Sequence, residues 1–244
     1  MAPCCSIIIL TMKKIVVLTG AGMSAESGLS TFRDADGLWE NYPVARVATH
    51  EAWDTDPDYV NDFYNMLRGK LLEAKPNRGH ELVAALQEKY DVSVVTQNVD
   101  NLHERAGSTK VLHLHGEATK VRPEDGIYDR TYSEEEVIDI GYDEVHFGDK
   151  APNGSQLRPH IVFFGEAVPN IEKAIDIVSA ADIMLIVGTS LNVYPAAGLY
   201  RYAPNGIPIY LIDPEDVAIA DPRITQIRQV ATKGMETFRR MLGQ

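Results

Sequence analysis

Short runs of β-branched and other apolar residues recur along the chain between longer polar stretches. They are Ile15–Leu18, Val92–Thr96, Val111–Leu114, Ile161–Phe164, Ile183–Val187 and Ile207–Ile212. Each is nearly continuous in hydrophobicity and too short for a helix, which is the pattern of strands buried on both faces of a parallel sheet. Between the runs, apolar positions fall at helical spacing. Leu82, Val83 and Leu86 do so within Gly79–Tyr90, as do Ile171, Ala174, Ile175 and Val178 within Asn170–Ala180. This alternation predicts an α/β fold, a doubly wound, Rossmann-like parallel sheet with helices on both faces.

Two stretches break the rhythm. Residues 37–77 carry Pro57, several aromatics and a helical run over Val60–Leu72, but no strand signal. Residues 118–157 are polar, acidic and rich in Gly and Asp, with Ser133–Glu136 offering a capping box for a short helix. The expected organisation is a tail over residues 1–11, a Rossmann-like domain made of 12–36, 78–117 and 158–244, and a smaller lobe formed by the insertions 37–77 and 118–157.

Composition narrows the function classes. Among 244 residues, 45% hydrophobic and 24% charged suit a folded chain and exclude one that is mostly disordered. A formal charge of −12 repels phosphate backbones, so nucleic acid is not an expected partner. The two cysteines, Cys4 and Cys5, are adjacent near the N-terminus, which excludes a disulfide framework and paired Cys-x-x-Cys zinc knuckles. The apolar run in residues 1–11 is short, lacks a preceding basic residue and has no small-residue cleavage site. No other long apolar run occurs, so neither secretion nor a membrane is expected, and a cytoplasmic setting is.

Four motifs carry candidate chemistry. Gly20-Ala21-Gly22-Met23-Ser24-Ala25-Glu26-Ser27-Gly28 follows the first strand, where glycines let backbone N–H groups approach a pyrophosphate at a helix N-terminus. A tight strand-to-helix turn explains the same glycines. The chain then enters Ser30–Asp34 and Gly37–Trp39 rather than a second strand ending in an acidic residue, which counts against hydride transfer. Thr96-Gln97-Asn98-Val99-Asp100-Asn101-Leu102-His103 puts amides and a carboxylate at a strand's C-terminal end. In His113-Leu114-His115-Gly116-Glu117 the two histidines share one face of a strand, as a metal pair would. No cysteine or third ligand accompanies them, and a histidine at a strand's end reads better as a general base facing the pocket. Phe163-Phe164-Gly165-Glu166 and Gly188-Thr189-Ser190-Leu191-Asn192-Val193-Tyr194-Pro195 each follow a buried run, so all four motifs are expected at one carboxyl edge.

GAGMSAESGLSTFR, TQNVDNLH, HLHGE, RPHIVFFGE and GTSLNVYPAA, in this order, resemble a sirtuin over about residues 13–242. The likeness is to the bacterial, class III-like sirtuins related to those that remove acidic acyl groups. It implies an NAD-dependent protein-lysine deacylase, with acylated lysine side chains of proteins as partners. Gly20, Ala21, Gly22, Glu26, Thr31, Phe32, Arg33 and Trp39 would hold NAD. Gln97 would contact ribose, Asn98 would position the nicotinamide ribose, and Asp100 would bind the nicotinamide amide. Gly188, Thr189 and Ser190 would serve the adenosine side, with Asp213 and Ala231 completing the cofactor set. His115 and Asn98 would be the catalytic pair. In the family the acyl-lysine carbonyl oxygen attacks the ribose anomeric carbon as nicotinamide leaves. His115 would then deprotonate a ribose hydroxyl, and the acyl group would pass to ADP-ribose. The substrate peptide would add as a strand between Phe164-Gly165-Glu166 and Leu191-Asn192-Val193, with Tyr194 also among the substrate-binding residues. An NAD glycohydrolase or ADP-ribosyltransferase using the same pocket is the alternative, and a non-catalytic dinucleotide sensor a third reading.

The chain departs from the family pattern in three places. Sirtuins usually carry a structural zinc on four cysteines after the catalytic histidine, and residues 118–157 contain none. No zinc is therefore expected, and the lobe is expected to be held by Ile127, Tyr128, Val137, Ile138, Tyr142, Val145 and Phe147. Class III members place a Tyr and an Arg three residues apart to grip an acidic acyl chain, beside a small alanine. Ala48 and Tyr64 are present, but Leu67 stands at that position and Arg68 follows one residue later. Arg68 still lies on a neighbouring part of the same helix face, which keeps succinyl- and malonyl-lysine open as substrates beside acetyl-lysine. Asp213 stands where sirtuins commonly present Asn to the adenosine ribose, a change that disfavours NADP by charge repulsion.

Overall fold

The computed structural model describes residues 12–29, 42–124 and 134–243. Within them the chain runs β1 (Lys14–Thr19), α1 (Val44–Val47), α2 (His50–Thr55), α3 (Pro57–Glu73), α4 (Arg78–Ala85), β2 (Asp91–Thr96), α5 (Leu102–Arg105) and β3 (Val111–His113). It continues through β4 (Gly116–Pro123), β5 (Ile138–Asp139), β6 (Leu157–Ile161), α6 (Ile171–Ser179), β7 (Ile183–Val187), β8 (Ile209–Ile212), β9 (Ile224–Ile227) and α7 (Ala231–Met241).

Among the described residues, six parallel strands form a sheet in the order β3-β2-β1-β7-β8-β9. Counted in their own sequence, this is the doubly wound order, with its reversal between β1 and β7. Period-two alternation sends Ile15 and Val17 to one face and Val16 and Leu18 to the other. The first face packs on Leu82 and Val83 of α4 and Met235 and Phe238 of α7. The second packs on Ala174 and Val178 of α6 and on Leu199.

The helix starts are written locally. The Asp56 side chain accepts from Tyr59 N–H, with Pro57 in the first turn of α3. Asn77 and His80 form a reciprocal capping box at the start of α4.

A smaller antiparallel sheet has the order β5-β4-β6. Here expectation and structure differ. The run Ile161–Phe164 does not join the parallel sheet. Leu157–Ile161 instead pairs antiparallel with β4, and Phe164 makes only an isolated parallel bridge to Thr49. A short apolar run shows that a segment is buried but not which sheet buries it. Ile161 and Phe163 are covered by Trp53, Phe63 and Tyr64 of the helical insertion. Strand β4 was not anticipated because Thr119, Arg122 and other polar residues interrupt it, although both of those are buried.

Val145 is buried and Tyr142 packs on the cluster of Trp53, Phe63 and Tyr64, whereas Phe147 is 55% exposed. Phe147 lies in the turn where His146 N–H donates to Asp149, outside the apolar cluster. Ile127 and Tyr128 lie outside the described residues.

Candidate active site

The C-terminal ends of β1, β2, β3 and β7 meet at the reversal of strand order, the position where open α/β sheets bind ligands. Residues 20–28 leave β1 as two 3-10 turns, Ala21–Met23 and Ala25–Ser27, instead of opening an α-helix. The expected helix N-terminus is therefore absent from the described residues here. The glycines serve a close approach of two loops. Gly20 N–H donates to Val187 O at 3.0 Å and Gly22 N–H to Gly188 O at 2.9 Å. A Cβ on Gly20 would stand 2.8 Å from Gly188 O, and one on Gly188 2.3 Å from Met23 N. Gly188 also adopts φ 64°, a conformation that favours glycine.

Beside these loops, Ser24 collects the polar groups of the β2 motif. Its hydroxyl donates to Asp100 Oδ2 at 2.9 Å and accepts from Asn98 Nδ2 at 3.1 Å. His80 Nε2 lies 3.5 Å away. His80 Nδ1 accepts from Asn77 N–H, so Nε2 carries the proton and points at Ser24. Burial pushes the His80 imidazole down to about 4, with Glu104 opposing, and it stays neutral. His103 stacks edge-on at 4.8 Å and bonds Thr19, which donates to Thr96. Burial holds His103 well below the ordinary imidazole value, helped by His80 and His113. Burial raises the Asp100 carboxyl, against the pull of Leu102 N–H and Ser24. Sequence reasoning missed Ser24, His80 and His103 as members of the site. Ser24 and His103 stand inside the glycine and amide motifs and His80 in a helical run, and nothing in the sequence joins the three.

The two histidines of the β3 end part company. His113 bonds Asn98 O through Nδ1 and Glu104 Oε1 through Nε2, both at 2.9 Å. Burial opposes its charge, but the Glu104 hydrogen bond and charge outweigh it and raise the imidazole above its ordinary value. With both ring nitrogens engaged by Asn98 O and Glu104 Oε1, His113 has no lone pair to offer a metal. His115 Nδ1 lies 3.0 Å from Gln97 O. A carbonyl only accepts, so Nδ1 keeps the proton and Nε2 keeps its lone pair. Burial lowers this imidazole, with the Gln97 carbonyl pulling the other way. His115 is thus a neutral base with a defined tautomer.

Gln97 Nε2 donates to Thr189 Oγ1 at 3.2 Å, joining the β2 and β7 loops. Ser190 follows, half-buried. Asp213, at the end of β8, is buried and accepts from Glu215 N–H at 3.0 Å. Ala231 is buried at the start of α7. Glu26 is not turned to this group. Its carboxylate accepts from Thr232 N–H and hydroxyl at 2.9 and 2.8 Å. Thr31, Phe32, Arg33 and Trp39 lie outside the described residues.

The residues expected to meet a peptide fall in two groups. Phe164, Gly165 and Tyr194 are exposed and Val193 is half-buried. Ala48, Tyr64 and the partly buried Leu67 belong to the insertion's apolar cluster. Arg68 is fully buried. It donates to Ala118 O at 3.0 Å and to the Asn65 side chain, and its guanidinium is pushed down to about 10 by burial, against Glu144 and Tyr64. The Glu166 side chain points inward onto Arg158, Arg122 and His50 rather than outward. Phe163–Glu166 follow a strand of the smaller sheet rather than of the parallel one, and reach the end of β3 through Val162 N–H donating to His115 O at 3.0 Å. Among the described residues no group of three or more His, Cys, Asp or Glu side chains is arranged around a metal position.

A doubly wound sheet with a second, smaller sheet, and polar side chains gathered where the strand order reverses, define a Rossmann-like protein. The chain belongs to the Sir2 family, whose model it matches over residues 20–195. It is 57% identical over 232 residues to an NAD-dependent protein deacylase of Bacteroides thetaiotaomicron, covering 95% of this chain and 98% of the relative. It is 46% identical over 198 residues to an NAD-dependent protein deacylase of Leishmania major, covering 78% of each. A crystal structure of a Sir2 homologue in complex with NAD superposes with a TM-score of 0.80 at 35% identity, covering 95% of this chain and 90% of the other.

Proposed function

We propose that this protein is an NAD-dependent deacylase of protein lysine side chains. The observation that carries the reading is the His115 tautomer, whose Nε2 lone pair is left available by the Nδ1–H bond to Gln97 O. The crevice fits a dinucleotide, since Gly20, Gly22 and Gly188 close it backbone to backbone and Gln97, Asn98, Asp100, Thr189, Ser190 and Asp213 surround it with polar groups. NAD held there would supply an electrophilic ribose carbon with nicotinamide as its leaving group. Ser24 orients the Asn98 amide and the Asp100 carboxylate toward that ligand. His115 Nε2 would accept a proton from a ribose hydroxyl placed against it, and its lowered basicity favours the neutral imidazole this needs.

On the acyl group, the engagement of Arg68 with Ala118 and Asn65 supports acetyl-lysine over succinyl- or malonyl-lysine. The domain boundaries read from the sequence, a cytoplasmic setting and a zinc-free lobe belong to the same proposal. The lobe's support is β4–β6 pairing and the 3.0 Å Arg158–Glu124 ion pair in a stretch without cysteine. Stoichiometric zinc in metal analysis of the purified protein overturns that part.

Incubation with NAD and an acetyl-lysine peptide tests the activity. The expected result is nicotinamide release that requires the peptide, with O-acetyl-ADP-ribose as co-product. ADP-ribose formed equally without peptide supports the glycohydrolase alternative instead.

A further inference from the structure

The Glu166 carboxylate has no role in the chemistry above, yet it is buried and bonded by three cationic or imidazole side chains. Its side chain is 5% exposed. Arg158 donates to it at 2.7 and 3.2 Å, His50 Nδ1 approaches to 2.7 Å, and Arg122 to 3.5 Å. These partners come from β6, α2 and β4, so one carboxylate ties both insertions together. Burial pushes this acid up, but the Arg158 charge and the hydrogen bonds from Arg158, His50 and Phe163 outweigh it and hold it ionised.

The same carboxylate also shapes the chain it belongs to. Phe163 N–H donates to Glu166 Oε2 at 2.9 Å, and Glu166 N–H donates to Phe163 O at 3.0 Å. The turn so closed carries Gly165 at φ 95° and leaves Phe164 46% exposed. On its inner side Phe164 is pinned by N–H donation to Ala48 O at 2.8 Å and by acceptance from His50 N–H at 3.2 Å. His50 therefore holds the turn twice, once by its backbone and once by its ring on Glu166.

We infer that Glu166, clamped by Arg158, Arg122 and His50, is a positioning residue that fixes the Phe164–Gly165 turn and so holds Gly165 as a rigid edge for the acyl-lysine peptide. The inference rests on the deacylase reading, in which the peptide adds a strand at this edge. A preset edge lowers the ordering cost of strand addition, so loosening it weakens peptide binding without touching the NAD crevice.

The test compares wild type with Glu166→Gln, His50→Ala and His50→Gln. It reads the dissociation constant of a fluorescein-labelled acetyl-lysine peptide by anisotropy, that of NAD by calorimetry, and the melting temperature. Glu166→Gln keeps the size but loses the charge, and peptide affinity is expected to fall about tenfold with NAD affinity within about twofold. His50→Ala is expected to weaken peptide binding severalfold, and His50→Gln, which retains a donor, to restore it. A folded Glu166→Gln protein with wild-type peptide affinity overturns the inference, as does an equal loss for NAD. If Glu166→Gln does not fold, unchanged peptide affinity in His50→Ala overturns it. A wild-type protein that binds the peptide but never turns it over defeats the deacylase reading alone.

Discussion

At the scale of single residues, the site is organised by which proton each buried group keeps. His113 and His115 are two positions apart on one face, yet their basicities move in opposite directions: the Glu104 hydrogen bond and charge raise the first, and burial lowers the second. The functional consequence is a pH profile. A base whose imidazole is held below its ordinary value stays deprotonated further into acid. The acid limb of kcat/KM is therefore expected below the ordinary histidine range near 6.5, and a limb at or above that value contradicts the assignment. Replacing His115 by Ala is expected to lower deacylation by about 10²–10⁴-fold while leaving the melting temperature near wild type. Much of this was legible in the sequence, since Gln97, Asn98, Asp100 and His115 all sit at strand ends with chemistry on display. Ser24 was not legible as their organiser, because a serine in a glycine-rich turn looks like turn chemistry until Asn98 and Asp100 are brought to it from 74 and 76 residues away.

At the scale of elements, α3 shows how a helix face can mislead. Tyr64 and Arg68 lie on neighbouring parts of one face, as their spacing requires, but the arginine is used as an internal strut. Its guanidinium joins α3 to β4 through Ala118 O, while Asn65 exchanges two hydrogen bonds with the backbone of Val145. The pair thus pins the helical insertion to the other half of the smaller lobe. Spacing specifies a helix face but not which of its neighbours claims a long side chain. Arg68→Ala is expected to cost about 2–4 kcal/mol of stability through an unpaired buried carbonyl and a cavity. It should reduce acetyl and succinyl turnover alike. Leu67→Arg, which places the cation three residues after Tyr64, is expected to raise succinyl turnover relative to acetyl. Matched peptides assayed on both variants decide the point, and a selective loss of succinyl turnover in Arg68→Ala restores the carboxylate grip.

At the scale of the molecule, five of the six parallel strands among the described residues carry the apolar signature of burial, whereas β9, half-buried and interrupted by Thr225 and Gln226, does not. Nor does the smaller sheet, because its strands are held partly by ions. Arg122, Arg158, His160 and Glu166 are buried in or beside it, and their polarity masks the period. This way of building has a measurable consequence in acid. Burial pushes His80 down to about 4 and His160 to about 3, the latter aided by Arg122, and His103 falls well below 6.5. Between pH 6.5 and 4 the unfolded chain takes up protons at these positions and the folded protein does not, so stability falls as pH falls. Each such site contributes a slope approaching about 1.4 kcal/mol per pH unit in that window. His113 works in the other sense. Its stabilisation is fully present in acid and is lost as pH rises through its raised folded value. Glu104 and Glu166, held below the ordinary carboxylate value, add to the loss only at still lower pH. The melting temperature is therefore expected to decline already between about pH 6.5 and 5, where carboxylates alone give little change. Thermal melts across that range check it, and His80→Gln, which cannot take up the proton, should flatten the decline by the share of one site. A melting temperature constant to pH 5 would mean that these histidines are protonated in the folded state, and with it the neutral His80–Ser24 contact beside Asn98 and Asp100 would have to be redrawn.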